Sequence, residues 1–388
     1  MPQIKPEVET FARIKVIGVG GSGKNALNHM FNSKVRGVDF IAVNTDAQDL
    51  HHSLAKKKIH IGKNLTKGLG AGMNPEIGKR AAEETKEEIQ EAIKGADMVF
   101  IAGGEGGGTG TGAAPVVART AKESGVLTIA VVTKPFSFEG QQRVRLAEQG
   151  IEELRKSVDA IIVIPNDKLM TAISKDTTAK HAFMMCDEIL KQAVEGISDL
   201  ITTPGVIGNI DFADIRAVLE NAGSAIMGIG SASGEKRAEE AARAAINSPL
   251  IDMSIHGAKG VLFSIAGGED LTMFEIQEAA KVVTESVDPN AKIIFGTVRD
   301  EKLKKGEVKV TVVAAGFPEN APKKSLFESG GKIFNSVPQQ ASVPEKQSPV
   351  QASSSEEPAT EKNQPPKNGD DDDDWGAVPA FLRRSRLK

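Results

Sequence analysis

Seven glycines fall within the ten residues Gly103-Gly104-Glu105-Gly106-Gly107-Gly108-Thr109-Gly110-Thr111-Gly112, between the apolar run Met98-Val99-Phe100-Ile101-Ala102 and a helical pattern from Ala113 to Ser124. Few folds tolerate such a run. Glycines without Cβ let backbone N–H groups turn inward toward an anion, and Thr109 and Thr111 add hydroxyl donors at the positive end of the following helix. A packed core gives no reason for so many glycines. The plainer alternative is a flexible surface loop. The position between strand and helix favours a phosphate cradle.

A second glycine loop stands in the same setting. Arg13-Ile14-Lys15-Val16-Ile17 predicts a short buried strand, followed by Gly18-Val19-Gly20-Gly21-Ser22-Gly23-Lys24-Asn25 and a helix through about Asn32. Gly18, Gly20 and Gly23 satisfy the G-x-G-x-x-G dinucleotide pattern, and Gly18 with Gly23-Lys24 nearly satisfies the P-loop pattern. Asn25, however, stands where a P-loop needs a serine or threonine for magnesium. The dinucleotide reading has more support, because Phe40-Ile41-Ala42-Val43 predicts a second strand ending near Asp46, about where a ribose-binding acid would lie. A nicotinamide-dependent oxidoreductase is therefore a standing rival; it accounts for this loop but not for the glycine run at 103–112.

Strand and helix patterns alternate along the first half. Pro75 to Lys94 predicts one amphipathic helix, with proline near its start and Ile77, Ala81, Ile89 and Ile93 among charges. Leu127 to Val132 predicts a buried strand, Gln141 to Lys156 a helix, and Ala160 to Ile164 a strand ending at Pro165-Asn166-Asp167. Such alternation implies a parallel sheet covered on both faces, with ligands beyond the carboxyl ends of the strands, where both glycine loops fall. From Phe183 a helical pattern runs to about Ile201 and is ended by Pro204-Gly205. Asn209-Ile210-Asp211-Phe212-Ala213-Asp214 then precedes another helix beginning near Ile215. On spacing alone Asp211 is a helix cap and Asp214 a favourable first-turn acid, together worth about 1 kcal/mol. A second mixed α/β unit follows, with strands near 225–229, 261–266, 292–298 and 308–315 and helices near 235–247 and 271–286.

After Gly316 the composition turns to proline, serine, glutamine and charge, which predicts a disordered linker with an r.m.s. span of roughly 40 Å. It ends in Asp370 to Asp374 and an apolar-basic tip, Trp375-Gly376-Ala377-Val378-Pro379-Ala380-Phe381-Leu382-Arg383-Arg384-Ser385-Arg386-Leu387-Lys388, which reads as a docking peptide on a tether. A net charge of -4 with interspersed signs gives no general attraction to nucleic acid or membrane. The single cysteine, Cys186, excludes an internal disulfide framework and a clustered-cysteine metal site, and suits a reducing cytoplasm. Met1 to Pro6 has no apolar signal-peptide core, and no run approaches the roughly 18 apolar residues of a membrane span, so direct membrane insertion is not expected.

Taken together these motifs resemble the FtsZ family, bacterial tubulin relatives that form the division ring. Gly106-Gly107-Gly108-Thr109-Gly110-Thr111-Gly112 is the tubulin-type glycine signature. The resemblance runs from about Phe11 to Phe317 through Gly18 to Ala26, Asn44-Thr45-Asp46, Gly68 to Gly72 with Asn74-Pro75-Glu76, and Thr133-Lys134-Pro135-Phe136. It continues through Glu139-Gly140, Arg143, Pro165 to Leu169, Asp211 to Asp214, Gly267 to Leu271 and Ile293 to Gly296, and resumes at Val378 to Arg384. It implies a flexible tail at 1–10, a Rossmann-like GTP-binding domain at 11–182, a central helix at 183–203, and an acidic loop with a second α/β domain at 204–316. A linker at 317–374 and an adaptor-binding peptide at 375–388 complete the chain.

The same resemblance implies site residues. Gly20, Gly21, Ser22, Gly23, Lys24 and Asn25, with Gly106, Gly107, Gly108, Thr109, Gly110 and Thr111, would hold the phosphates of GTP or GDP, and Ala71 and Gly72 would close over the γ-phosphate. Asn44, Asp46, Thr133 and Pro135 belong to the same set. Glu139 and Arg143 would contact sugar and phosphate. Phe183 would stack on the base while Asn166 and Asp187 read guanine; a carboxylate accepts from guanine's ring N–H and amine, whereas adenine presents a ring acceptor there. Asn209, Asp211 and Asp214 would reach the nucleotide of the next subunit in a head-to-tail homopolymer and position water associated with Mg2+, itself held mainly through the phosphates, with K+ as a second candidate ion. Val378, Pro379, Phe381, Leu382, Arg383 and Arg384 would engage division adaptors and an actin-like (FtsA-like) membrane tether. The expected location is cytoplasmic, as a mid-cell ring under the membrane, with no nucleic-acid partner. A nucleotide-bound scaffold without turnover is a further rival.

Three positions depart from the family pattern. Glu105 replaces a usual methionine and sets a carboxylate near a polyphosphate, with Lys24 expected to offset it. Val206-Ile207-Gly208 makes the approach to Asn209 one residue longer. Cys186, beside Asp187, is expected to be a small packing residue rather than a redox switch.

Overall fold

The computed structural model describes residues 12–170, 176–203, 210–248, 255–300 and 303–317. The tail at 1–10, Gly208, Asn209 and the linker and tip from 318 onward lie outside the described residues. The order is β1 (Ile14–Val19), α1 (Gly20–Asn32), β2 (Val38–Asn44), α2 (Ala47–His51), β3 (Lys57–His60), α3 (Lys63–Thr66), α4 (Pro75–Glu84), α5 (Lys86–Ile93), β4 (Met98–Gly104) and α6 (Thr109–Glu123). Next come β5 (Leu127–Lys134), α7 (Gln141–Ser157), β6 (Ala160–Pro165), α8 (Asn166–Leu169), α9 (Ala179–Thr202) and α10 (Phe212–Leu219). The second half adds β7 (Gly223–Ser233), α11 (Arg237–Ile246), β8 (Gly260–Gly267), α12 (Met273–Thr284), β9 (Lys292–Arg299) and β10 (Glu307–Ala315).

The ten strands of the described residues form one sheet, ordered β3-β2-β1-β4-β5-β6-β7-β10-β8-β9. The first six run parallel, which requires a crossover over a face at each step and explains why β4 reads as an unbroken apolar run: it is covered on both sides. The second half has its own core around Ala241, Phe263, Ala279 and Val310, as expected. Its sheet, however, is not separate. β7 joins β6 in parallel through Ala160↔Gly223 to Ile162↔Ala225, and β10 inserts antiparallel between β7 and β8.

Two expectations are corrected. The single helix from Pro75 to Lys94 is two helices broken at Thr85, whose backbone leaves the helical region at φ -113° and ψ 19°. Thr85 Oγ1 donates to the Ala81 carbonyl at 3.1 Å and accepts from Gly62 N at 3.2 Å, so its side chain competes with the helix and ties the break to the strand connection beneath. The central helix begins at Ala179, four residues before Phe183, because Thr178 supplies an N-cap to His181 N.

In the second half Arg237, 7% exposed, clasps α11 to the start of α12: it donates to Glu275 at 2.6 Å and 3.2 Å, and to the Asp270 carboxylate at 2.7 Å and carbonyl at 2.9 Å. The guanidinium holds the Glu275 carboxyl down at about 2. Breaking a buried pair from one side leaves an uncompensated charge, at a cost of about 3–5 kcal/mol. Arg237→Ala is therefore expected to lower the urea midpoint markedly, and the difference from wild type should shrink as the pH falls from about 4.5 toward 2 and Glu275 is protonated. An unchanged midpoint at neutral pH would contradict the clasp.

Candidate functional site

The two glycine loops meet. β1 and β4 are neighbours, and α1 and α6 start from their carboxyl ends with no side-chain cap on either helix. A Cβ at Gly20, which has φ 73°, would lie 3.1 Å from Gly110 N. Two sets of unsatisfied first-turn N–H groups thus converge, each at the positive end of a helix dipole. Thr45 Oγ1 and Thr109 Oγ1, 2.6 Å apart, tie the end of β2 to the same point.

The glycines divide into two kinds. A Cβ at Gly110 would sit 2.7 Å from the Gly104 carbonyl, one at Gly108 2.8 Å from Asn74 N, and one at Gly112 1.9 Å from the Pro75 carbonyl. These are demanded by close approach, so the view that packing has no use for the run is corrected: Gly108 and Gly112 let α4 and the 71–74 segment lie on α6. Gly72 and Gly107 instead face open space, and nothing approaches a Cβ at Gly21 closer than 3.5 Å. A cradle lined by open glycines and helix N-termini is shaped for an anion.

Lys24 does not offset Glu105. Its ammonium is buried and lies 2.6 Å from Asp49 Oδ1, while Asn44 Nδ2 donates to Asp49 Oδ2 at 2.8 Å. Asp46 caps α2 by accepting from Asp49 N at 2.9 Å. Asp49 was not singled out from the sequence; its position three residues after a helix cap is the available signal. Glu105 turns away from this cluster toward α7, where a Cβ at Gly150 would meet its Oε2 at 2.5 Å.

Beyond the end of β5 the chain builds an aromatic ledge. Phe183 is 45% exposed and rests edge-on against buried Phe136, with ring centroids 5.4 Å apart. Phe138 stacks on Phe136 at 5.0 Å, a partner that sequence reasoning passed over although Phe136-Ser137-Phe138 shows the alternation. Glu139 accepts from Phe136 N at 3.0 Å and from the Arg143 guanidinium. Thr133 and Pro135 are buried beside the glycine run, where a Cβ at Gly106 would meet Pro135 Cγ at 3.3 Å. Asn166 is 5% exposed and its Oδ1 has no hydrogen-bond partner. Burial raises the Asp187 carboxyl to about 6, against the pull of His29 and Lys24. A guanine base fits this set: a ring for Phe183 to face, and N–H donors for an orphaned acceptor and a carboxylate. Cys186 is buried and its thiol is pushed up to about 12, as an inert packing residue requires. Gly20 to Asn25, Asn44, Asp46, Ala71, Gly72, Gly106 to Thr111, Asn166, Phe183 and Asp187 all lie on elements that end at this edge of the sheet.

Asp211 and Asp214 do not. They close a reciprocal capping box on α10, Asp214 N donating to Asp211 Oδ1 at 2.8 Å and Asp211 N to Asp214 Oδ2 at 3.3 Å. α10 belongs to the opposite edge: Arg216 reaches the Gly125 carbonyl, just before β5, at 3.5 Å, and Gly223 N bonds the Asp159 carbonyl, just before β6, at 2.9 Å. The eight residues of β5 alone separate the two edges by about 25 Å.

A tubulin-like nucleotide-binding fold is defined by this architecture. Residues 13–174 match the Tubulin/FtsZ family GTPase domain and residues 223–318 the FtsZ family C-terminal domain. Among solved structures, an empty FtsZ dimer from M. jannaschii is similar at 47% identity and TM-score 0.77, covering 84% of this chain and 96% of that one. A point mutant of FtsZ from M. jannaschii is similar at 49% identity and TM-score 0.75, covering 79% and 92%. The GTPγS-bound protofilament of CetZ2 from Haloferax volcanii shares the fold at 23% identity and TM-score 0.67, covering 80% and 95%. The chain belongs to the FtsZ family and is a GTPase of the tubulin-like cytoskeletal class.

The Asp187 carboxyl must be ionised to accept from guanine, so GDP affinity should fall as pH drops below about 6. Asp187→Asn is expected to weaken GDP binding by roughly tenfold or more, in line with a lost charge-assisted hydrogen bond, and to flatten that acid limb. Titration calorimetry of both proteins between pH 5 and 7 checks this; parallel pH profiles would remove Asp187 from base recognition.

Proposed function

We propose that the chain polymerises head to tail, that its GTPase site is completed between adjacent subunits, and that the filament serves cell division as a ring beneath the membrane. The separation of the acidic box from the glycine cradle carries this reading. Asp211 and Asp214 cannot act on a nucleotide held at the other edge of their own sheet, but stacking a second copy edge to edge would set them over it. Such a contact is heterologous and extends into a filament unless it closes. Leu69, 86% exposed, and Phe138, 70% exposed, border the cradle as apolar surface that a neighbour would cover. The dimer of M. jannaschii FtsZ and the CetZ2 protofilament support self-association.

In this scheme backbone N–H groups of α1 and α6 bind the phosphates, and Ala71 and Gly72 close over the γ-phosphate. Mg2+, with K+ as a further ion, would be held mainly through the nucleotide's phosphates and would supply charge neutralisation there. Capping and catalysis are compatible: the box uses Asp211 Oδ1 and Asp214 Oδ2, leaving the second oxygen of each carboxylate without a hydrogen bond among the described residues. Those oxygens, with Asn209, would orient the attacking water and take up its proton. Loss of the γ-phosphate then weakens the contact that completed the site. Val378 to Arg384 would tether the filament to adaptors, including an actin-like membrane anchor, so the protein itself stays cytoplasmic.

GTP turnover measured against protein concentration, with Mg2+ and K+, should show a threshold followed by a linear rise. A rate proportional to concentration from zero would mean a self-contained site, and no turnover a silent scaffold. Asp214→Gln keeps an acceptor suited to the third position of the capping box but removes the carboxylate. It should retain GTP binding and filaments while losing turnover by on the order of a thousandfold, comparable with other catalytic groups supplied in trans.

A further inference from the structure

Glu105 is the sole charged residue in the glycine run 103–112, and the nucleotide scheme above gives it no task. It is 5% exposed, and its Oε2 has no hydrogen-bond partner. The Thr111 hydroxyl bonds the carboxyl and itself accepts from Gly106 N at 2.8 Å, so side chain, amide and hydroxyl close a ring across the base of the loop. The elements around the carboxyl present no side-chain cation paired with it among the described residues. α7 presents Gly150; β5 presents the Thr133 carbonyl, which accepts from Glu105 N at 2.9 Å; α6 presents Thr111.

The charged residues of these elements and of the adjoining α4 act elsewhere. On α7, Arg143 is held by Glu139, and Glu153 attracts Lys156 together with Lys79 of α4 and Arg119 of α6; none of these cations, nor Lys134 on β5, makes an ion pair with Glu105 among the described residues. Lys24 is engaged by Asp49. Burial, opposed only by the Thr111 bond, pushes the carboxyl up to about 7. A carboxylate in that position is disfavoured twice once the cradle is filled, first by desolvation and then by the like charge of a polyphosphate.

We propose that Glu105 couples nucleotide binding to protonation: as the polyphosphate enters the cradle, the Glu105 carboxylate takes one proton from solvent, and the filled site contains the neutral acid. The O–H bond formed is on the carboxyl group, and no other bond changes. Neutralisation also removes the cost of keeping a charged oxygen buried without a partner. This rests on the cradle being the nucleotide site. Its sign is opposite to that of Asp187: binding prefers protonated Glu105, so affinity declines as pH rises above about 7.

The test is calorimetric titration of the full-length chain with GDP and Mg2+ in two buffers of different ionisation enthalpy, at pH 7 and pH 8, where the terminal phosphate of GDP is largely ionised. Wild type should take up about half a proton per GDP at pH 7 and roughly 0.8 at pH 8, with affinity falling roughly tenfold between pH 7 and 8.5. Glu105→Gln and Glu105→Met, the second offering an apolar chain of similar length should the first fold poorly, are expected to bind GDP with no such uptake and a flatter profile. The difference from wild type cancels protons exchanged by the ligand. Equal proton counts in wild type and either folded variant, or no uptake by wild type at pH 8, would overturn the proposal. Failure of wild type to bind GDP at all would instead overturn the nucleotide-site reading.

Discussion

The approach of Gly20 to Gly110 is the contact on which the rest of the site depends. Two strands that are neighbours in a parallel sheet each feed a helix whose first turn lacks a cap, and the two first turns are held within van der Waals distance. That is possible only because side chains are missing where the loops cross. A Cβ at Gly18 would lie 2.5 Å from the Gly23 carbonyl, and one at Gly23 2.6 Å from the Ala102 carbonyl. The same economy of side chains on α6 lets the segment ahead of α4 lie over the cradle, through Gly108 against Asn74 and Gly112 against Pro75. One short glycine run thus sets the anion-facing amides and positions the segment that covers them.

The central helix carries the second constraint. α9 runs beside the sheet from Phe183, which touches the aromatic ledge at the carboxyl edge, to Thr202, whose Cγ2 lies 2.5 Å from where a Cβ of Gly37 would stand at the amino edge. At about 1.5 Å per residue its 24 residues span roughly 36 Å. Ile189, Leu190, Ala193, Val194 and Ile197 bury one face of it in the core shared by both halves. One rigid element therefore has one end beside the aromatic ledge and the other toward the acidic box, and it fixes these two parts at opposite edges.

Much of this was legible in the sequence, where periodicity and punctuation were strong. The strand–glycine–helix units, the parallel first half and the long apolar stripe of the central helix emerged with small boundary shifts. What was not legible depended on partners distant in sequence. The break at Thr85 follows from a hydrogen bond to Gly62, and an uninterrupted amphipathic pattern cannot show it. Asp49 gives no local signal that it will neutralise Lys24, so a lysine inside a glycine loop was read as available for Glu105. The continuity of the sheet across both halves rests on three residue pairs between β6 and β7, too few to leave a pattern. The capping role of Asp211 and Asp214 was visible in the spacing, whereas their distance from the cradle required the topology.

The electrostatics of the cradle follow from how its side chains are paired. Lys24 is matched by Asp49 and Arg143 by Glu139, so each of these cations near the site is already answered by a carboxylate, and the His29 ring is hydrogen-bonded to Glu188 at 2.7 Å. What remains to attract a polyphosphate is the backbone, whose partial positive charge at two helix ends is fixed in direction and costs no side-chain ordering. A site attractive through amides has a consequence for its acids. Desolvation governs both buried carboxyls: it raises Glu105 to about 7 and, against the pull of His29 and Lys24, Asp187 to about 6. On the proposed reading they would face different groups: Asp187 would meet base donors that reward its charge, whereas Glu105 would meet phosphates that penalise it. One physical cause, burial, would then give a carboxylate suited to reading guanine and an acid suited to carrying a proton, the distinction being set by which end of the nucleotide each meets.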